Sequence, residues 1–379
     1  MRLTDICDFQ GGSQPPKDEW LFEKQEGYIR MLQIRDFTQS EKVVPEYVKI
    51  SKSTKICQAD DILIARYGAS IGKILTGLSG AYNVAIMRAI PDTHMLQKKY
   101  LYYYLKSPYF QTAILNVGSR AAQAGFNKED LSKLEIKCPL LSEQDSIIDI
   151  LQKVESIIGK IKKELIFLDE LVKARFVELF GDPRSNPFGF EKKRLKDTCK
   201  VITGNTPSRA IAEYYGDYIE WIKTDNIVSG ILNPTQATES LSEKGMNVGR
   251  TVEKDSILMA CIAGSIASIG RVCITDRTVA FNQQINAVVP EQYNILFLYV
   301  LFQMSKDYLV EDINMALKGI LSKSKLEEKE FIIPPMDLQE QFSDFVKQVN
   351  KSKFDTMTFA PIYAIINLYL HTYFYQGRR

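Results

Sequence analysis

From Glu143 to Phe180 the chain carries no proline and one glycine, Gly159, and its apolar residues recur at heptad spacing. Ile147, Val154, Ile161 and Leu168 form one row, and Leu151, Ile158, Leu165 and Val172 a second, with Ile150, Ile157 and Leu171 beside them. That recurrence predicts a helix with a broad apolar seam, which needs a partner helix to cover it. Ser142 followed by Asp145 reads as the N-terminal cap, and Gly181-Asp182-Pro183 as the stop. At ~1.5 Å per residue this helix is expected to be about 55 Å long.

On either side of the helix the pattern shortens to strand-like runs. Before it come Tyr28–Ile34, the buried-strand run Asp61–Ala65 and a helix near Gln97–Leu105; after it come Tyr218–Lys223, Asp255–Ala260 and a helix near Asn294–Gln303. Each series opens on a polar segment with glycine and proline, Gly11–Pro16 or Thr203–Pro207. Short identities recur in the same order. Arg2-Leu3 with Asp5 returns as Arg194-Leu195 with Asp197, and Tyr28-Ile29 as Tyr218-Ile219. Ser70-Ile71-Gly72-Lys73 returns as Ser268-Ile269-Gly270-Arg271, Ala81-Tyr82-Asn83 as Ala280-Phe281-Asn282, and Glu143-Gln144 as Glu340-Gln341. The offsets drift only between 190 and 199 residues, as loop insertions in a duplicated module would produce. The mix of short strands and isolated helices predicts an α+β class with two such modules in tandem.

Composition narrows the function. A net charge of +2 excludes a bulk-basic chain, so any nucleic-acid surface must be a local patch. The cysteines Cys7, Cys57, Cys138, Cys199, Cys261 and Cys273 form no C-x-x-C pair, and His94 and His371 are the only histidines. No metal or cofactor is expected, and the thiols read as buried side chains in a reducing, cytoplasmic setting. The N-terminus lacks the apolar core of a signal peptide, and no apolar run is long enough to span a membrane. Gly68–Lys73 has three residues between its glycines and Ile74 after its lysine, so it misses the phosphate-loop pattern. Asn186-Pro187-Phe188-Gly189 is similar to an amino-methyltransferase signature but lacks the second proline, and no cofactor loop accompanies it. The residues define no catalytic set, and a stand-alone methyltransferase is correspondingly disfavoured.

The order module, long helix, module, second helix resembles the specificity subunit of type I restriction–modification systems. The similarity is carried by Leu63–Lys73, Asn282-Gln283-Gln284-Ile285, Lys173–Pro183, and Pro139 and Pro334-Pro335 ahead of the two Glu-Gln pairs, over residues 1–355. The resemblance implies a non-catalytic subunit whose two target recognition domains each read half of a split site in double-stranded DNA. It also implies long helices forming an antiparallel coiled coil that docks methyltransferase subunits, with a restriction subunit as an optional further partner. The domains expected are 1–141 and 182–338 as readers, with 142–181 as the first spacer helix and 339–379 as a shortened second one. The DNA-binding candidates are Lys17, Arg30, Arg35, Arg66, Tyr67, Lys73, Arg120 and Gln123 in the first module. In the second they are Arg209, Lys223, Arg250, Ser265, Arg271, Lys318 and Lys323. These are residue types that read base edges or neutralise phosphates. The competing class is a coiled-coil scaffold with no DNA role. From Thr356 to Arg379 no acidic residue occurs and the repeat pattern is lost, which suits either an exchanged end or family divergence. The uncovered seam must be covered by the aromatic tail, by a partner subunit or by a second copy of the chain, and self-association of the isolated chain is expected.

Overall fold

The computed structural model describes residues 1–39, 42–118, 125–313 and 319–358. The chain divides into two compact units whose boundary, between Lys160 and Ile161, falls inside the long helix.

The first unit opens with α1 (Leu3–Ile6), β1 (Cys7–Gly11), β2 (Tyr28–Leu32), α2 (Ile34–Thr38), β3 (Glu46–Lys49) and β4 (Ile56–Cys57). It continues with β5 (Ile62–Ala65), β6 (Ile74–Leu75), β7 (Gly80–Tyr82), β8 (Ile86–Pro91), α3 (Lys98–Lys106), α4 (Pro108–Gly118) and α5 (Lys128–Leu131), and then α6 (Leu141–Phe180) leaves it. The strands make two sheets, ordered β1-β8-β5-β6 and β3-β2-β7-β4. Strand β5 shows why its run is continuously apolar. Ile62 and Ile64 face the helix-covered core with Tyr100 and Tyr104, whereas Leu63 and Ala65 face the other sheet with Leu32 and Tyr82. A strand buried on both faces has no polar side to alternate with.

The second unit contains β9 (Glu191–Arg194), β10 (Cys199–Thr203), β11 (Tyr215–Gly216), β12 (Ile219–Ile222), β13 (Ser240–Leu241), α7 (Glu243–Val248) and β14 (Thr251–Val252). It closes with β15 (Ile257–Ala260), β16 (Val272–Ile274), β17 (Val279–Phe281), β18 (Ile285–Pro290), α8 (Ile295–Met304), α9 (Lys306–Val310), α10 (Lys323–Glu328), β19 (Glu330–Ile333) and α11 (Met336–Thr358). Its two main sheets run β10-β18-β15-β16 and β11-β13-β12-β17-β14, and β19 pairs with β9.

The duplication is visible in register. Cys7 lies opposite Pro91 and Cys199 opposite Pro290; Met31 lies opposite Ala81 and Trp221 opposite Ala280, each in a parallel pairing, the only one of its module among the described residues. A one-residue slip would turn every side chain to the other face, so matched register means that both cores are built alike. The drifting offsets of the sequence repeat are the same offsets that separate these paired strands.

In the second unit, α11 runs antiparallel to the second half of α6. Phe342 meets Phe176 and Phe180 with ring centroids 5.5 Å apart in each case, while Lys353, about three turns further along α11, pairs with Asp169. Phe297 of α8 stacks into the same cluster, 4.8 Å from Phe180. Two details differ from the sequence expectation. Helix α6 starts at Leu141, because the Leu140 carbonyl already accepts the Glu143 and Gln144 amides, so Ser142 sits inside the first turn. Of the side rows, Ile150, Ile157 and Leu171 are exposed; the covered seam is narrower than the heptad pattern suggested. Gly181, at φ 70°, ends the helix as expected. Gly159 has open space where a Cβ would stand. Gly159→Ala is expected to raise stability by about 0.5–1 kcal/mol in urea unfolding; a loss would mean that something packs against that position.

Candidate nucleic-acid interface

Strand direction gathers particular loops at one end of each module. Thr203 at the end of β10 pairs with Asn286 at the start of β18, Ala260 at the end of β15 pairs with Ile285, and Ile222 at the end of β12 lies beside Phe281 at the end of β17. The loops after β10, β12 and β15, the approach to β14 and the β17–β18 turn therefore share one edge. The first module repeats this with the loops after β1, β2 and β5, the approach to β4 and the β7–β8 turn.

The edge is fastened by backbone. As the chain leaves β10, the Gly204 amide donates to the Ile285 carbonyl and the Asn205 amide to the Phe281 carbonyl; Gly12 and Ser13 do the same to Ile86 and Tyr82. Asn83 and Asn282 accept from the amides of Ala85 and Gln284 at 3.1 Å each, and so hold the turn that joins the two sheets. This is the physical content of the repeated Ala-aromatic-Asn motif. The repeated Ser-Ile-Gly motif has a similar explanation. Gly72 and Gly270, at φ 81° and 78°, return the chain so that their amides meet the Ala65 and Ala260 carbonyls.

Most of the described candidates fall on this edge. Lys17, Lys73 and Arg250 are exposed and make no side-chain bond among the described residues. Tyr67 is exposed beneath the Arg66 guanidinium, 5.0 Å from its ring centroid, and Ser265 shares a hydrogen bond with Ser268. Arg35 pairs with Glu46, and Arg209 and Lys223 both pair with Glu239. Three candidates are committed to the fold instead. Arg30 sits within β2 and holds the buried Asp36 at 2.8 Å. Arg66 donates to the Phe126 and Val84 carbonyls, and Arg271 to those of Thr224 and Ser268. Lys323 opens α10, where it pairs with Glu327. Arg120, Gln123 and Lys318 lie outside the described residues.

The edge also holds residues that sequence reasoning missed. Lys55 occupies the place of Arg250, since each precedes a strand and each carbonyl receives the amide of the aromatic at the end of β7 or β17. Gln283 projects from the β17–β18 turn and meets Thr206. Glu46 and Glu239 are the acidic members of the cation clusters. Nothing local marks them: only strand pairing shows Glu46 opposite Met31, and Glu239 accepting the Trp221 amide opposite the equivalent position.

The charge state of the edge follows from these contacts. Arg209, and then Lys223, hold the Glu239 carboxyl below the usual range, so that carboxylate stays ionised near neutrality. Burial pushes the Cys7, Cys199, Cys261 and Cys273 thiols up to about 12, which leaves them protonated. Among the described residues no group of three or more His, Cys, Asp or Glu is placed to hold a metal ion, and no helix is long and apolar enough to cross a membrane.

Fold and edge together define a tandem α+β protein in which one module architecture is built twice. The family model for the type I restriction modification DNA specificity domain matches residues 1–166 and 187–361. The chain is 29% identical over 212 residues to the type I restriction enzyme HindI specificity subunit of Haemophilus influenzae, a match covering 50% of this chain and 45% of that one. It is 23% identical over 367 residues to the MjaIX specificity subunit of Methanocaldococcus jannaschii, covering 91% and 82%. In fold it is similar to the S subunit of a type I restriction–modification system from M. genitalium, with a TM-score of 0.56, 14% identity and coverage of 99% and 95%. The chain belongs to the type I restriction modification DNA specificity family, with two copies of the domain. Its role is that of a specificity subunit, which recognises DNA sequence and is not itself an enzyme.

Proposed function

We propose that each module reads one half of a bipartite site in double-stranded DNA through its loop edge, that α6 and α11 set the spacing of the halves, and that these helices dock methyltransferase subunits in the cytoplasm. The observation that carries the reading is the pair of register-matched edges bearing different side chains. Lys17, Arg35, Lys55 and Lys73 occupy one, and Arg209, Lys223, Arg250 and Gln283 the other. Matched scaffolds with unlike readers suit an asymmetric target, in which phosphate contacts place each module and base contacts distinguish the halves. The docking part is supported by large apolar side chains left exposed on α6. Ile150 and Ile157 stand out on its first half, and Ile166, Phe167 and Leu171 on its second. Apolar surface of that kind on a charged helix marks a contact site.

Exchange of residues 1–141 for the corresponding part of another such subunit tests the reading. The methylation pattern of cells carrying the hybrid is expected to change in one half of the site and to keep the other half and the spacing. A change in both halves together would overturn the two-reader proposal, and the absence of any sequence-dependent methylation would overturn the DNA-reading role itself.

A further inference from the structure

The two loop edges share one construction that the duplication alone does not account for. In the second module Glu239 stands opposite Trp221 across the β12–β13 pairing, and its carboxylate receives Arg209 Nη2 at 2.7 Å and Lys223 Nζ at 3.1 Å. The Arg209 guanidinium lies against two aromatic rings, 4.5 Å from the centroid of Tyr215 and 5.3 Å from that of Trp221. In the first module Glu46 stands opposite Met31, the position equivalent to Trp221. Its carboxylate receives Gln33 Nε2 at 2.6 Å and the Arg35 guanidinium. Gln33 and Lys223 are equivalent, each following its strand by one residue. The arginines are not. Arg35 belongs to α2, which follows β2, whereas Arg209 comes from the loop after β10.

A salt bridge inherited with the module would arrive from the same loop in both copies. Here the carboxylate stays in place and an arginine is brought to it by two different routes, so what the two edges share is an oriented guanidinium. Stability does not require it, because both arginines are about half exposed and exposed pairs contribute little. What the pair does supply is orientation. A guanidinium held by a carboxylate and, in Arg209, packed against two rings has lost much of its rotamer freedom before it meets a partner. Arg209 Nη1 makes no hydrogen bond among the described residues, and Nη2 keeps one hydrogen beyond the one given to Glu239. One hydrogen on each terminal nitrogen is the fork that matches O6 and N7 of guanine in the major groove.

Resting on the DNA-reading role above, we propose that Arg35 and Arg209 are the guanine-reading residues of the two half-sites, with Glu46 and Glu239 as the positioning residues that aim them. Each arginine specifies one G·C pair in its own half. Because they reach the edge from different segments, Arg35 from α2 and Arg209 from the loop after β10, the two guanines occupy different positions relative to their modules.

The test is selection from a random duplex pool by the full chain, in the complex isolated from cells that express it. Arg209→Ala is expected to lower the preference for guanine at one position of one half-site by on the order of ten- to hundredfold while every other position keeps its preference. Arg35→Ala should do the same at one position of the other half. Arg209→Lys guards against misfolding, since it keeps the charge but has no fork; it should lose the same guanine while retaining overall binding. Glu239→Gln should weaken preference at that position alone. An unchanged motif, or a loss spread evenly over all positions, would overturn the proposal and leave these arginines as phosphate or structural contacts. If the unaltered complex selects no bipartite motif, the DNA-reading role itself fails, a result distinct from either variant outcome.

Discussion

Gly204→Ala is expected to destabilise the second module by roughly 3 kcal/mol and to abolish recognition by its edge while the first module keeps its own. A Cβ at Gly204 would stand 2.2 Å from the Asn282 carbonyl oxygen and 2.5 Å from that of Phe281. Neither atom is the free end of a side chain. The Phe281 carbonyl already accepts the Asn205 amide, and the Asn282 side chain fixes the turn between β17 and β18. Relief therefore means parting the strand exit from that turn, with loss of the backbone bonds that gather the loops. Gly12→Ala repeats the experiment in the first module, where the Asn83 and Tyr82 carbonyls lie 2.1 Å and 2.4 Å from the built Cβ. Hydrogen exchange resolved along the chain is the measurement. Faster exchange in residues 199–290 alone is expected for Gly204→Ala, and in residues 7–91 alone for Gly12→Ala. Unchanged protection in either variant would show that the backbone yields cheaply there and that the close approach does not fasten the edge.

The parts of this architecture legible in sequence are those fixed by hydrophobic period. The seam of α6, the strands β5 and β15 and the helices α3 and α8 all stand within a few residues of where periodicity places them, because burial on a given face leaves little choice of register. Loop chemistry was legible only in part. Arg66 and Arg271 have the right residue type at the right edge, yet both are spent on carbonyls of neighbouring loops, and a charge pattern cannot reveal a partner such as Phe126, sixty residues away. Glu46 and Glu239 were invisible for the complementary reason: an acidic residue draws no attention in a search for DNA contacts until strand pairing puts a guanidinium on it. The repeated Glu-Gln pair misled in a third way. The identity of Glu340-Gln341 with Glu143-Gln144 is genuine, but it is out of step with the fold by two residues. The residue that does the work of Gln144 is Gln339, buried and five residues beyond Pro334 as Gln144 is five beyond Pro139, whereas Gln341 is exposed. A dipeptide match is weaker evidence than the bond that a buried amide must make.

That bond sets the other large effect. Gln144 is wholly buried at the start of α6, where its Oε1 accepts the Gln97 amide at 3.0 Å and its Nε2 donates to the carbonyls of Met95 at 2.7 Å and Pro139 at 2.9 Å. One side chain thus ties the first turn of the long helix to the segment entering α3 and to the strand-like approach from Cys138. Gln144→Met keeps the volume and removes all three bonds, leaving the Gln97 donor and the Pro139 acceptor without partners and the Met95 carbonyl with only the weak Cys138 thiol donor at 3.2 Å. An unsatisfied buried group costs about 1–3 kcal/mol, so two of them, with a third left to a weak donor, are expected to cost roughly 4 kcal/mol in urea unfolding. Gln339 makes the shorter version of the same tie, accepting the Asn294 amide at 2.9 Å and donating to the Pro334 carbonyl at 2.8 Å. With two groups stranded and no third one weakened, Gln339→Met should cost roughly 2–3 kcal/mol. The order matters more than either value. If Gln341→Met proved as damaging as Gln339→Met, the alignment of the two helix starts would be wrong. If Gln144→Met were neutral, water or a shifted backbone would be satisfying the Gln97 amide, and the joint between the first module and its helix would be looser than its hydrogen bonds require. A loose joint would also blur the half-site spacing in the methylation pattern, so the stability measurement and the spacing measurement test the same side chain independently.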